Sequence, residues 1–507
     1  MTISEPVKIR KAFICILIIA AVAISRWAFR SYYLYDLDSV NFALALDRFD
    51  TTVHQPHPPG YYLYVCLGRL INTFVHDANT SFVIISVVAS CGAAAVVYLL
   101  TAEWFGRRAA TFAGLMFIFS PLAWFHGTVA LTYIVEAFFS ASAGYVCWRV
   151  YGGDTRFVFP AAMVLGLSAG FRPSSLLFLG PMFVYSLFKV SRRQASLGLV
   201  VLFATVSAWF VPMIWETGGL EAYTTSLTSL WKIVPSKQTV FSSMVTVTVA
   251  RVFTIATIFV FCFGTALAVI FRASHGNDRD QKRKVIFTCV WMGPGLLFFT
   301  FVFFLLVNSG YLLLLSPAVF AWLGRWAADW YETVRLSPKV RTGLVAAMCG
   351  INAAMYFWAP LYCSYKEVRK FEAELQWIIQ AIPQVASPRQ ALIVGFDAHF
   401  LGYRHAGYYL PSYLTAQFPE LRYDSGTKAF VMRRRDTHLD SKLAASSYGG
   451  FILFPLPVAG DEYKKYLAGI RSKFPKDHLI TTVVNGREIV TGPIADLPLL
   501  FPITGAP

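Results

Sequence analysis

The sequence predicts a multi-pass α-helical membrane protein of about eleven spans, followed by a small C-terminal α/β domain. Three observations predict it. Of 507 residues, 56% are apolar and only 14% charged, where a soluble domain is about a quarter charged. Apolar windows long enough to cross a bilayer recur between residues 12 and 362. After residue 363 charges become denser and the pattern turns to short buried strands and an amphipathic helix. The division is therefore 1–362 for the membrane domain and 363–507 for the tail domain.

The first span follows Lys8, Arg10 and Lys11 and runs from Ala12 through Ile24. Arg26, Trp27 and Arg30 come next instead of a small-residue cleavage site, so the segment reads as an uncleaved span. Further spans fall near 81–102, 109–128, 130–149, 157–171, 174–190, 195–215, 247–271, 285–307, 311–328 and 342–362, with 157–171 the thinnest. Alternation from a cytoplasmic N-terminus puts Arg107, Arg108, Arg149, Arg156, Lys189, Arg193, Arg272, Lys284, Arg325 and Arg341 on one side. The opposite loops hold few basic residues, chiefly Arg30, Arg48, Arg69, Lys232 and Lys237. The expected setting is a bacterial inner membrane, with the N-terminus cytoplasmic and both the 30–80 loop and the tail domain outside.

A net charge of +16 would by itself suit a nucleic-acid partner. Its confinement to short loops between apolar spans excludes that reading and makes it a topology signal, with a secondary attraction to anionic lipid. The bilayer is the partner this charge implies. Eight cysteines all lie in or beside apolar segments, so they pack as small hydrophobes and make no disulfide framework.

The 30–80 loop is more than a connector. Val40, Ala43, Leu44 and Leu46 recur at helical spacing after Asp38 and Ser39, a pair suited to cap a helix. Pro58 and Pro59 suit the first positions of a second amphipathic helix, from Tyr61 to about Val75. Two surface helices joined by 51–57 result. A second outer loop, 216–246, carries Trp231, Lys232 and Pro235 and is long enough to fold over the first. In the tail, Tyr365, Val368, Phe371, Leu375 and Ile378 trace one helix face, and 391–396 and 450–454 read as buried strands. Asn485-Gly486 between two apolar runs predicts a hairpin with a type I′ turn.

Candidate chemistry begins at Asp36 and Asp38. Asp38 can cap the first surface helix, and it can also serve as a general base at the water–lipid interface. A helix N-terminus stabilises the carboxylate in either role. His57 stands before Pro58-Pro59-Gly60; a rigid turn explains the prolines, and the imidazole can bind phosphate or sugar hydroxyls. Glu136 lies in an apolar span, where a carboxylate costs about 2.5–3.5 kcal/mol on insertion scales. It either faces a polar cavity near the outer side or bonds a neighbouring helix. Arg172, before Pro173, either snorkels or clamps a phosphate with its planar guanidinium. Asp397, His399, Arg404 and His405 read as a solvated face of the tail domain, because their spacing matches no metal site. Walker A, GxGxxG and HExxH patterns are absent at credible positions, so no cofactor and no metal are expected.

The stretches Asp38-Ser39-Val40-Asn41-Phe42 and His57-Pro-Pro-Gly-Tyr-Tyr-Leu-Tyr, followed by Leu67-Gly-Arg-Leu70, resemble the first outer loop of GT-C membrane glycosyltransferases. The similar branch is that of the protein O-mannosyltransferases and aminoarabinose transferases. Tyr133-Ile-Val-Glu136, Gly166 through Arg172-Pro173, and Asn308-Ser-Gly-Tyr extend the resemblance over about 10–360. It implies an inverting transferase that moves a sugar from a polyprenyl- or dolichyl-phosphate donor to an acceptor hydroxyl on a protein, lipid or glycan. It places the catalytic base at Asp38 and makes His57, Glu136, Arg172 and Asn41 substrate contacts. The family often carries a second acidic residue next to this Asp or three positions on. Here those places hold Ser39 and Asn41, which leaves Asp36 as a partial substitute. A monophosphate leaving group can depart without a divalent metal. The rival reading is a transporter or lipid flippase using Glu136 and Arg172 as intramembrane contacts. Its usual internal repeats with matching broken helices are not visible. A scaffold would leave the Asp and His-Pro-Pro-Gly loop unexplained.

Overall fold

The computed structural model describes residues 5–233, 239–241, 245–272, 279–304, 308–395, 400–417, 420–424, 429–433, 449–455, 471 and 478–496. It contains two compact units, Met1–Tyr32 with Phe42–Val368, and Tyr33–Asn41 with Arg369–Pro507.

The first unit is helical: α1 Glu5–Ala28, α2 Leu37–Asp47 (whose first turn counts with the second unit), α3 Tyr62–Val75, α4 Ala78–Phe105, α5 Arg107–Ile118, α6 Pro121–His126, α7 Tyr133–Tyr151, α8 Val158–Phe171, α9 Ser174–Leu187 and α10 Arg192–Glu216. There follow α11 Leu220–Ile233, α12 Val245–Phe263, α13 Arg279–Phe301, α14 Ser316–Thr333 and α15 Pro338–Trp358. Among the described residues, Ala78–Phe105, Arg192–Glu216, Val245–Phe271, Arg279–Phe301 and Pro338–Trp358 are long and apolar enough to cross a membrane. Of the other predicted spans, 157–171 and 174–190 fall on helices of 14 residues each, α8 and α9. The 109–128 stretch breaks after Ile118, and Pro121 then starts α6 with Ser120 Oγ accepting the Ala123 amide at 3.3 Å. Buried Arg26 of α1 closes the break by donating to the Ile118 carbonyl at 2.8 Å and the Phe117 carbonyl at 3.3 Å.

The core forms around α4, which packs on α1, α5 and α7. Small residues set the spacing there. On α14, a Cβ at Gly324 would lie 2.5 Å from the Ala109 carbonyl oxygen of α5, so the two backbones meet closely. The 30–80 and 216–246 segments pack on one another: Tyr223 Oη of α11 donates to the Pro59 carbonyl at 3.1 Å, and Ser226 Oγ to the Thr51 carbonyl at 2.8 Å.

The second unit is α/β. Helix α16, Tyr365–Val385, begins in the first unit and continues into the second, burying Val368, Phe371, Leu375 and Ile378 as its spacing predicts. The strands are β1 Ala391–Gly395, β2 Thr415–Gln417, β3 Glu420–Asp424, β4 Ala429–Arg433, β5 Gly450–Leu453, β6 Ile480–Val484 and β7 Arg487–Pro493, with α17 Tyr403–Tyr409 after β1. Five of them order β2-β1-β5-β7-β6, and β3 pairs with β4. β1 is buried along its length because it is parallel to both neighbours, which matches its unbroken apolar run. β6 and β7 form the expected hairpin; Asn485 and Gly486 both take positive φ, 50° and 78°, as a type I′ turn requires.

Candidate functional site

Within the first unit the site grows from a helix break. Proline disfavours helical backbone in the residue before it, so α8 stops at Phe171 and Arg172 takes extended φ −153°, ψ 100°. α9 then restarts at Ser174. The Arg172 side chain is buried, its Nε 3.0 Å from Glu136 Oε2, while Nη1 donates to Thr132 Oγ1 at 2.9 Å. Its guanidinium carbon lies 4.4 Å from the Tyr133 ring centre, 5.1 Å from Tyr311 and 5.7 Å from Tyr61. Ser175 Oγ donates to Glu136 Oε1 at 3.1 Å.

The pairing settles two open readings. Glu136 is tied to the α8–α9 break rather than left facing a cavity alone, and Arg172 is held inside rather than snorkelling. Removing one partner of a buried pair costs about 3–5 kcal/mol, because the other charge is stranded. Glu136 also sits in the first turn of α7, where the helix dipole favours a negative charge. Nη2 of Arg172 makes no hydrogen bond among the described residues.

His57 joins this group through Tyr61: its Nε2 lies 3.0 Å from Tyr61 Oη. Pro58 and Pro59 do not open the second surface helix as expected. α3 starts at Tyr62, after Gly60 and Tyr61 pass through positive φ of 120° and 54°. Gly60 permits that path, and a Cβ there would also meet Met213 Sδ at 2.6 Å. The turn aims Tyr61 at Arg172.

Asp36, Asp38 and Asn41 lie on the segment Tyr33–Asn41, which belongs to the second unit. Tyr35 stacks edge-on with Phe371, and the Leu34 amide donates to Tyr409 Oη at 2.7 Å. Asp36, not Asp38, caps α2: its Oδ1 accepts the Asp38 amide at 2.8 Å. The helix begins one turn earlier than its apolar spacing suggests, at Leu37, which moves Asp38 inside the first turn. Asp36 and Asn41 are buried and Asp38 is half-buried. Burial first, and the neighbouring Asp38 charge second, push the Asp36 carboxyl well above the usual range, against the lowering effect of the Asp38 amide.

The structure thus brings Glu136, Arg172 and His57 together in one unit and Asp36, Asp38 and Asn41 in the other. Sequence reading missed Thr132, Ser175 and the three tyrosines. The available signal was spacing, since Thr132, Tyr133 and Glu136 fall on one helical face. Of the tail group, Asp397 and His399 lie outside the described residues. His405 is a correction: it is fully buried, takes the Gly402 amide on Nδ1 at 3.2 Å, and is pushed down to about 4 by burial. It packs against Phe371 rather than facing solvent. Among the described residues no three His, Cys, Asp or Glu gather as a metal set.

Residues 49–197 match the family model described as the protein O-mannosyl-transferase TMEM260 N-terminal domain. No curated protein matches the sequence significantly. Among solved structures the chain is similar to ArnT from Cupriavidus metallidurans in the apo state, at 12% identity and TM-score 0.57, covering 94% of this chain and 97% of that one. The same protein bound to undecaprenyl phosphate gives 13% identity and TM-score 0.59 over the same shares. At that identity the likeness carries the fold alone. Residues 49–197 thus resemble a protein O-mannosyl-transferase domain, and the chain as a whole shares the fold of the ArnT structures.

Proposed function

We propose that the chain moves a sugar from a polyprenyl-phosphate donor to an acceptor hydroxyl at the outer face of the membrane, with inversion at the anomeric carbon. The observation that supports this most is Arg172. Its guanidinium is fixed by Glu136 and Thr132, walled by three tyrosines, and keeps Nη2 for a phosphate oxygen. The bound undecaprenyl phosphate of the similar ArnT structure is a donor fragment of the same chemistry.

In the reaction, Asp38 takes the proton of the acceptor hydroxyl as its oxygen attacks the anomeric carbon. The bond from that carbon to the phosphate oxygen breaks, and the lipid phosphate leaves with the electron pair. Arg172 stabilises the charge that develops on the phosphate, and His57 and Asn41 bond sugar hydroxyls. Asp36 holds the first turn of α2 and so orients Asp38. In this reading the eleven apolar segments all cross the bilayer, with the N-terminus cytoplasmic and the second unit outside.

The test uses membranes supplied with a polyprenyl-phosphate-linked sugar. Asp38→Asn is expected to lower transfer by about 10²–10⁴-fold, the usual worth of a positioned base, while lipid-phosphate binding persists. Near-normal transfer by that variant would remove Asp38 from the role.

A further inference from the structure

The second unit holds a cleft of about 460 Å³ at the end of its sheet, bordered by Gln390, Gly449, Gly450, Phe451, His478 and Thr491. That volume is within the range of small-molecule sites, which runs from about 300 to 1,000 Å³. One side is apolar, formed by the exposed Ile480, and glycines leave part of the border without side chains.

Its polar groups have spare capacity of both kinds. Asp496 Oδ2 lies 2.5 Å from His478 Nδ1. A carboxylate only accepts, so Nδ1 carries the proton and Nε2 is the ring's second polar atom. Nε2 makes no hydrogen bond among the described residues. Gln390 Oε1 accepts the Ser387 amide at 3.2 Å, which turns the amide nitrogen, a double donor, outward. Thr491 Oγ1 donates to the Ile480 carbonyl at 3.4 Å and can still accept. Donor, acceptor and hydroxyl beside an apolar wall suit a neutral polyol, whose hydroxyls both give and take hydrogen bonds and whose C–H face is apolar. Among the described residues that border the cleft, His478 is the one ionisable side chain, and it is held by Asp496.

We propose that this cleft is a saccharide-binding subsite, separate from the donor site, which holds a glycan acceptor or glycosylated product. The inference rests on the sugar-transfer reading for its biological sense, and its test does not depend on transfer. The experiment is saturation-transfer-difference NMR on the full chain in nanodiscs, with a panel of methyl hexopyranosides and neutral disaccharides. Gly449→Leu fills the cleft, since a Cβ at Gly449 meets nothing closer than the Gln390 carbonyl oxygen at 3.9 Å. His478→Ala with Gln390→Ala removes the polar pair without filling space.

A saccharide signal in the wild type should vanish in Gly449→Leu and weaken by about tenfold in the double variant, the loss of about 1.4 kcal/mol. Both variants should keep the wild-type melting temperature. The signal should persist in Asp38→Asn. Saccharide signals that survive both cleft variants, or a panel that gives no signal at all, would overturn the proposal. A serine- or threonine-containing peptide that binds and is lost in Gly449→Leu, with no saccharide binding, would overturn it in favour of a peptide groove. If transfer is absent from the wild type while cleft-dependent saccharide binding remains, the transferase reading fails and the subsite stands.

Discussion

Two buried ionisable groups illustrate how differently burial acts on single residues. Arg172 meets an opposite charge at 3.0 Å, so its positive form is compensated in place. Asp36 meets a like charge, and only one backbone amide answers it. Its folded carboxyl therefore titrates above its unfolded value. Stability from such a group is fully present below the ordinary carboxylate range and is lost as pH rises through the raised value. Asparagine caps a helix as well as aspartate and carries no charge. Asp36→Asn is therefore expected to match the wild type near pH 4 and to melt higher than it at pH 8, by about 2–4 °C if the gain is near 1 kcal/mol. Melting curves in detergent across that pH range check this, and a difference that does not grow with pH would contradict it.

At the scale of elements, chain ends are satisfied by arginines rather than by solvent. Arg26 serves the end of α5, and Arg69 of α3 serves the end of α2. Arg69 Nε and Nη2 each donate at 3.0 Å, to the Leu46 and Ala45 carbonyls, while Nη1 pairs with Glu216 at 3.1 Å. Tyr62 Oη donates to the other Glu216 oxygen at 2.7 Å, so α2, α3 and α10 meet at one polar knot. A planar fork makes these contacts and an ammonium cannot. The side chain is about a third exposed, so water replaces part of what is lost. Arg69→Ala should destabilise by about 1–2 kcal/mol, and amides in the last turn of α2 should exchange about tenfold faster with α4 unchanged. Arg69→Lys should recover only part of this; full recovery by lysine would show that charge alone matters.

For the whole molecule the sharpest prediction concerns topology. Phosphatase reporters fused after Gly153, Ser191 or Leu336 should be inactive, and those fused after His76 or Gly218 active, because basic loops stay cytoplasmic. Activity on both sides of one predicted span would break the alternation. Much of the plan was readable without coordinates. Composition dictates the membrane class, Asn485-Gly486 dictates a turn, and Pro173 dictates the break at Arg172, since each works through solvent or through neighbours in the chain. Pairings were not readable. α4, α7, α8 and α10 are apolar on all sides, so no stripe marks the face each one packs. Glu136 meeting Arg172, Tyr61 and Tyr311 closing on the same guanidinium, and Tyr33–Asn41 joining the second unit all bring together residues far apart in sequence. The sequence by itself determined which local breaks and polar groups exist. Only tertiary packing, where shape and charge choose among equally apolar faces, decided which of them meet.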